Sequence, residues 1–215
     1  MRRILRLAAL VAFVTVCVTG CSSSTTEGGL PAAPDVLKKA ATAMSAVKTV
    51  AFSLTTEGNP PIPVKTAEGD LTREGDAKGK IQIMIGALQE LEFVLAGDSV
   101  YIKGPTGGFQ KSMSREQLAA LYDPSAVVTA VPVLLSSATG GKIEEVGGAY
   151  KVSVTLPGEP LKKIVPGVTG DLPGTLMIDK ATSRVTSIDL PLNGGTVKVA
   201  LTDYDAPVTI EAPAV

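Results

Sequence analysis

Two periodicities divide the chain. In residues 35–48 apolar side chains recur at helical spacing: Val36, Leu37, Ala40, Ala41, Met44 and Val47 share one face, with Lys38, Lys39 and Lys48 off it. The spacing predicts a helix over 35–48, capped by Asp35, that lays one face on a sheet. From residue 50 the period drops to two. Residues 50–56 alternate around Phe52 and Leu54, and residues 64–73 form a second run. In 80–86, Ile81, Ile83 and Ile85 face one way and Gln82 and Met84 the other. In 90–96, Leu91, Phe93 and Leu95 oppose Glu92 and Val94, and 99–103 centre on Val100 and Ile102. Short alternating runs between turn residues predict an antiparallel meander.

The middle of the chain breaks this pattern. Ser114 and Gln117 stand in capping-box positions before a short helix that ends at Leu121. Asp123 and Pro124 open a second helix through Val127, Val128, Val131, Leu134 and Leu135, disturbed by Pro132. Strands resume at 143–146 and 150–156 around Gly147-Gly148, with a helical turn at 161–165. A second meander follows at 174–179, 184–190 and 196–204, with turns at 180–183 and 193–195 and an extension at 206–215. No repeat or internal boundary interrupts residues 35–215. They read as one α+β domain, a curved antiparallel sheet with helices on one face.

The first twenty residues are of another kind. Arg2, Arg3 and Arg6 precede a 12-residue apolar run from Leu7 to Val18, too short for a membrane span of about 20 residues. Val18-Thr19-Gly20-Cys21 resembles a bacterial lipobox, which predicts cleavage before Cys21 and acylation of its sulfur. Residues 21–34 then form a lipidated, Ser/Thr/Gly/Pro-rich tether. The processed chain is expected on the extracytoplasmic face of the cell membrane, held by its acyl chains. It keeps no free thiol, so disulfides and cysteine catalysis are excluded.

Composition removes further chemistry. The chain has no His, which excludes His triads and His metal sites. Twenty basic and 21 acidic groups give no electrostatic reason to expect nucleic acid. Ser45-Ala46-Val47-Lys48 matches an S-x-x-K spacing, but S-D-N and K-T-G are absent. Adjacent Glu144 and Glu145 point to opposite faces of a strand and read as solvated. The sequence is read as a non-enzyme without cofactor or metal. Aromatics are 4% of the chain and Trp is absent, so the interior must be aliphatic. Periodicity leaves open whether sheet and helices enclose a solid core or a ligand cavity. Ile81, Ile83, Ile85, Leu91, Phe93 and Leu95 are the candidate sheet wall of such a cavity. Val127, Val131, Leu134 and Leu135 are the helical wall candidates.

Three segments after the lipobox and tether carry a resemblance: Lys65-Thr66-Ala67-Glu68-Gly69-Asp70-Leu71-Thr72, Leu121-Tyr122-Asp123-Pro124, and Leu172-Pro173-Gly174-Thr175-Leu176-Met177-Ile178. With them the chain resembles the LppX/LprG family of actinobacterial envelope lipoproteins over about residues 21–210. The resemblance implies a half-barrel sheet wrapped over helices, with a hydrophobic cavity between. It implies binding of acyl chains of di- or triacylated envelope lipids or glycolipids and their carriage across the envelope. For some members it implies a membrane lipid exporter as partner. The alternative is an envelope lipoprotein with a solid core that docks on a partner protein.

Overall fold

In the computed structural model, which describes residues 29–119, 126–165 and 168–215, one antiparallel sheet dominates. Its strands are β1 (Thr49–Gly58), β2 (Val64–Thr72), β3 (Ala77–Ile85), β4 (Ala87–Ala96), β5 (Ser99–Lys103), β6 (Gln110–Ser114), β7 (Thr139–Val146), β8 (Ala149–Leu156), β9 (Leu172–Asp179), β10 (Val185–Leu192) and β11 (Gly195–Thr202). The helices are α1 (Ala33–Ser45), α2 (Arg115–Ala119), α3 (Ala126–Ser137) and α4 (Gly158–Ile164). The spatial order β6-β5-β4-β3-β2-β1-β11-β10-β9-β8-β7 is that of two meanders. They are fused where β1 pairs with β11, from Ala51 opposite Thr202 to Gly58 opposite Gly195. The sheet is curved and unclosed: β6 and β7 are its two ends.

The helix predicted over 35–48 starts earlier and ends sooner. Pro34 occupies the first turn, where its missing N–H goes unneeded, and the cap position is Ala32, which makes no side-chain cap bond. Asp35 is therefore not the cap. It lies in the first turn, where its charge still favours the helix dipole. The other end is held from the sheet. Arg73 donates from Nε to the Val47 carbonyl at 2.6 Å and from Nη2 to that of Met44 at 3.1 Å. The Met44 carbonyl also accepts the Val47 N–H at 3.3 Å, and the guanidinium adds a charged donor at a helix end where carbonyls run short of partners. Ser45 Oγ donates back to the Thr42 carbonyl at 2.7 Å, so the Ser-x-x-Lys spacing belongs to a helix end.

The capping box before α2 forms as predicted. The Ser114 N–H donates to Gln117 Oε1 at 2.9 Å, and the Gln117 N–H to Ser114 Oγ at 3.2 Å. Strand β6, Gln110-Lys111-Ser112-Met113-Ser114, was not predicted: it is a polar edge strand with no alternation to read. The leader, Cys21 and Tyr122-Asp123-Pro124 lie outside the described residues.

Between helices and sheet sits an aliphatic core. Helix α1 packs on α3 and α3 on α4, and Val36, Leu37, Ala40 and Met44 of α1, Val128, Val131 and Leu134 of α3 and Leu161 of α4 share one buried cluster. Beneath them lie Val152, Leu176, Ile178, Leu190 and Val197. Among the described residues no aromatic or charged side chain is fully buried. The chain after β11 is tied back to the body. The Asp205 carboxylate accepts the Lys48 N–H at 2.8 Å and pairs with Arg184, whose guanidinium lies 5.0 Å from the Tyr204 ring. Further on, Lys78 Nζ donates to the Thr209 carbonyl at 3.1 Å.

Candidate functional site

The strand register lines up rows of side chains on the helix-facing side of β1–β5. The lowest row is Val50, Leu71, Ala77, Leu95 and Val100, each opposite the next. All five are sealed, at 0–3% exposure. The next row runs Phe52, Gly69, Gly79, Phe93 and Ile102, and its three side chains are half-buried. Above it stand Leu54, Ala67, Ile81 and Leu91, with only Ala67 buried. Ile83 continues the line half-buried, and Ile85 ends it at 62% exposure beside the β3–β4 turn. The wall is therefore graded, from closed core to open rim. From Ala77 to Ile85 it climbs about 26 Å of strand. That exceeds the ~15 Å depth of one leaflet's hydrocarbon. The other half of the sheet has no such gradient, and Val152, Leu176, Ile188 and Val197 are all sealed.

The middle row has a gap by construction. Gly69 and Gly79 face each other across β2 and β3. A Cβ on Gly69 would lie 2.1 Å from the Lys78 carbonyl oxygen, and one on Gly79 would lie 2.0 Å from that of Glu68. Only glycine permits so close an approach of two strands. The row thus carries no side chain at its centre, between Phe52 and Phe93.

The residues proposed from sequence fall into three places. Ile81, Ile83, Leu91 and Phe93 share the half-open stretch, and Leu95 lies in the sealed row at its foot. Ile85 stands exposed at the rim. Val127, Val131, Leu134 and Leu135 are buried on α3, at 0–6% exposure, within the core. Phe52, Leu54 and Ile102 were missed, although the alternation of 50–56 and 99–103 already placed them on a common face.

The opposite face of the same strands is polar. Ser53, Glu68, Lys80 and Glu92 form one outward row and Ala51, Asp70, Lys78 and Val94 another. They border an open groove of about 550 Å³ that crosses the glycine pair and ends at Phe109. Lys103 Nζ lies 3.1 Å from Glu92 Oε1 and 5.8 Å from the Phe109 ring. Such exposed pairs contribute at most about 1 kcal/mol each. Glu144 pairs with Lys142 at 2.7 Å, and the hydrogen bond from that lysine holds its carboxyl below the usual range. Glu145 pairs with Lys180 at 2.7 Å. The two carboxylates are engaged by different lysines and form no acid–base dyad. Among the described residues no cluster of three or more potential metal ligands occurs, and no helix is long and apolar enough to cross a membrane.

Comparison with known proteins agrees with this architecture. The profile of the LppX_LprAFG lipoproteins matches residues 32–210. The lipoarabinomannan carrier protein LprG of Mycobacterium leprae is 28% identical over 233 residues, covering 100% of this chain and 97% of its own. Its namesake in Mycobacteroides abscessus is 27% identical and covers 100% of both chains. The crystal structure of LprF from Mycobacterium bovis superposes with a TM-score of 0.76 at 21% identity, over 85% of this chain and 97% of that one. LppX of Mycobacterium tuberculosis gives 0.62 at 19% identity, over 83% and 98%. These two share the fold.

Proposed function

Because the chain belongs to the LppX_LprAFG family, whose members are carrier lipoproteins and not enzymes, we propose that it carries envelope lipids by their acyl chains. The observation behind this reading is the graded wall. A globular core seals its apolar rows, whereas this one leaves Ile81, Ile83, Leu91 and Phe93 half-open in a continuous line. Acyl chains laid along that line cover it. Leu95 forms its floor, Ile85 its mouth, and Val127, Val131, Leu134 and Leu135 the helical side.

Each methylene removed from water contributes about 0.8 kcal/mol, so a chain of some fifteen carbons gains roughly 12 kcal/mol before ordering costs. Aliphatic walls offer no hydrogen-bond code, so they select for chain and not for headgroup. The cargo is a di- or triacylated lipid or glycolipid. Acylated Cys21 holds the carrier on the extracytoplasmic face, from which it moves cargo across the envelope beside a membrane lipid exporter.

Native mass spectrometry of the processed protein from a mycobacterial host, beside an organic extract, tests this. Stoichiometric two- or three-chain lipid is expected. A lipid-free protein from a host that makes such lipids would favour the solid-core docking lipoprotein instead.

A further inference from the structure

The β3–β4 hairpin ends in an apolar tip that covers nothing. Met84 is 45% exposed, Ile85 62% and Leu88 54%. Met84 pairs with Leu88 and Ile85 with Ala87, so the two pairs occupy opposite faces of the hairpin. Both faces of its end are therefore apolar and open. Nine consecutive residues, Ile81 to Gln89, carry no charge, and Lys80 and Glu90 bracket them. A protein groove covers one face of a hairpin. A medium that is apolar all round covers both.

The tip also lies on the tethered side of the molecule. Every neighbouring pair of strands is antiparallel, so the β3–β4 turn and the start of β7 are at the same end of the sheet. Helix α1 begins there as well: a Cβ on Gly141 would lie 2.6 Å from Ala33 Cβ. The described chain thus starts at this rim, and Cys21 is twelve positions before Ala33. The half-open wall also opens toward it.

We infer that the β3–β4 tip inserts into the acyl layer of the membrane, with Ile85 and Leu88 below the headgroups. The carrier's mouth then meets the bilayer at the point where an acyl chain leaves it. This deepens the carrier reading and rests on it for the purpose of the contact, though the contact itself is read without any cargo.

The test uses the processed, lipidated chain. Its sole thiol is blocked by acylation, so Ile85→Cys provides one labelling site for an environment-sensitive fluorophore. Val146→Cys, 48% exposed at the opposite end of the strands, is the control. Both proteins are reconstituted in phosphatidylethanolamine–cardiolipin vesicles with and without brominated acyl chains. A blue shift and bromine quenching at position 85, with neither at 146, is the expected result. Equal quenching at the two positions overturns the proposal. So does a blue shift at 85 that bromine leaves untouched, since a second protein copy then covers the tip. Mass spectrometry of the same samples reports the cargo separately: a quenched tip on a lipid-free protein keeps this inference and removes the carrier reading.

Discussion

Ile81→Trp fills the wall at its most informative point. Ile81 lies between Ala67 and Leu91 in the upper row and is only half-buried. The indole has room to lie along the wall without forcing the sealed row below. Stability should change by less than about 1.5 kcal/mol, as for tolerated repacking. The ring brings about six more heavy atoms than isoleucine and displaces some five methylenes of cargo, a loss near 4 kcal/mol. That is roughly a thousandfold in affinity. The assay is the lipid-to-protein ratio by native mass spectrometry, beside a thermal melt of the same sample. The comparison is Leu176→Ala in the sealed half of the sheet. It should cost about 2–5 kcal/mol of stability and leave the lipid ratio intact. An Ile81→Trp variant that melts and loads like its parent would refute the assignment of this row to the cargo.

Two further predictions concern the frame. Arg73→Ala removes two charged donors from the Met44 and Val47 carbonyls, at and just past the end of α1, and should cost about 3 kcal/mol, read as a lower denaturant midpoint with unchanged slope; a loss under about 1 kcal/mol would mean that water replaces the guanidinium. The Asp205 carboxyl is held below its ordinary range, first by the Lys48 N–H and then by Arg184. A depressed carboxylate stabilises in full above its unfolded pKa of about 3.9, and that contribution is lost as pH falls through the folded value. Asp205→Asn should therefore melt about 3 °C below the parent at pH 6, with the two curves converging in strong acid; a constant gap across pH would contradict the linkage.

The shared apolar face of β3 and β4 was legible because the two strands alternate without a fault. Ile81, Leu91 and Phe93 declare a common face by period alone. The same rule misses β6, where Gln110, Lys111 and Ser112 on an edge have no core to face. It also could not say how far along a strand the helices reach. Ile83 and Ile85 have identical local sequence signals, yet one is half-covered and the other stands in the open, because coverage depends on elements distant in the chain. The seam between β1 and β11 joins residues some 150 positions apart, and no local pattern encodes it. The start of α1 was misplaced for a smaller reason. Asp35 is a good cap by type, but Pro34 in the first turn moves the start two residues back.

The unclosed sheet has a mechanical consequence. In a closed barrel the girth is fixed by strand number and stagger, and widening it means breaking ladder bonds. Here β6 and β7 are not bonded to each other, so the two ends can separate by a change of twist alone. No register need slip, and the resistance comes from the helices packed on the sheet, α2 at the β6 end and α1 and α3 at the β7–β8 end. Free edges invite pairing with other chains, and these are guarded: Lys111 sits on β6, and Lys142, Glu144 and Glu145 line β7. Under the proposed carrier function the interior acts as a compliant vessel, whose bore follows its contents and not the other way round.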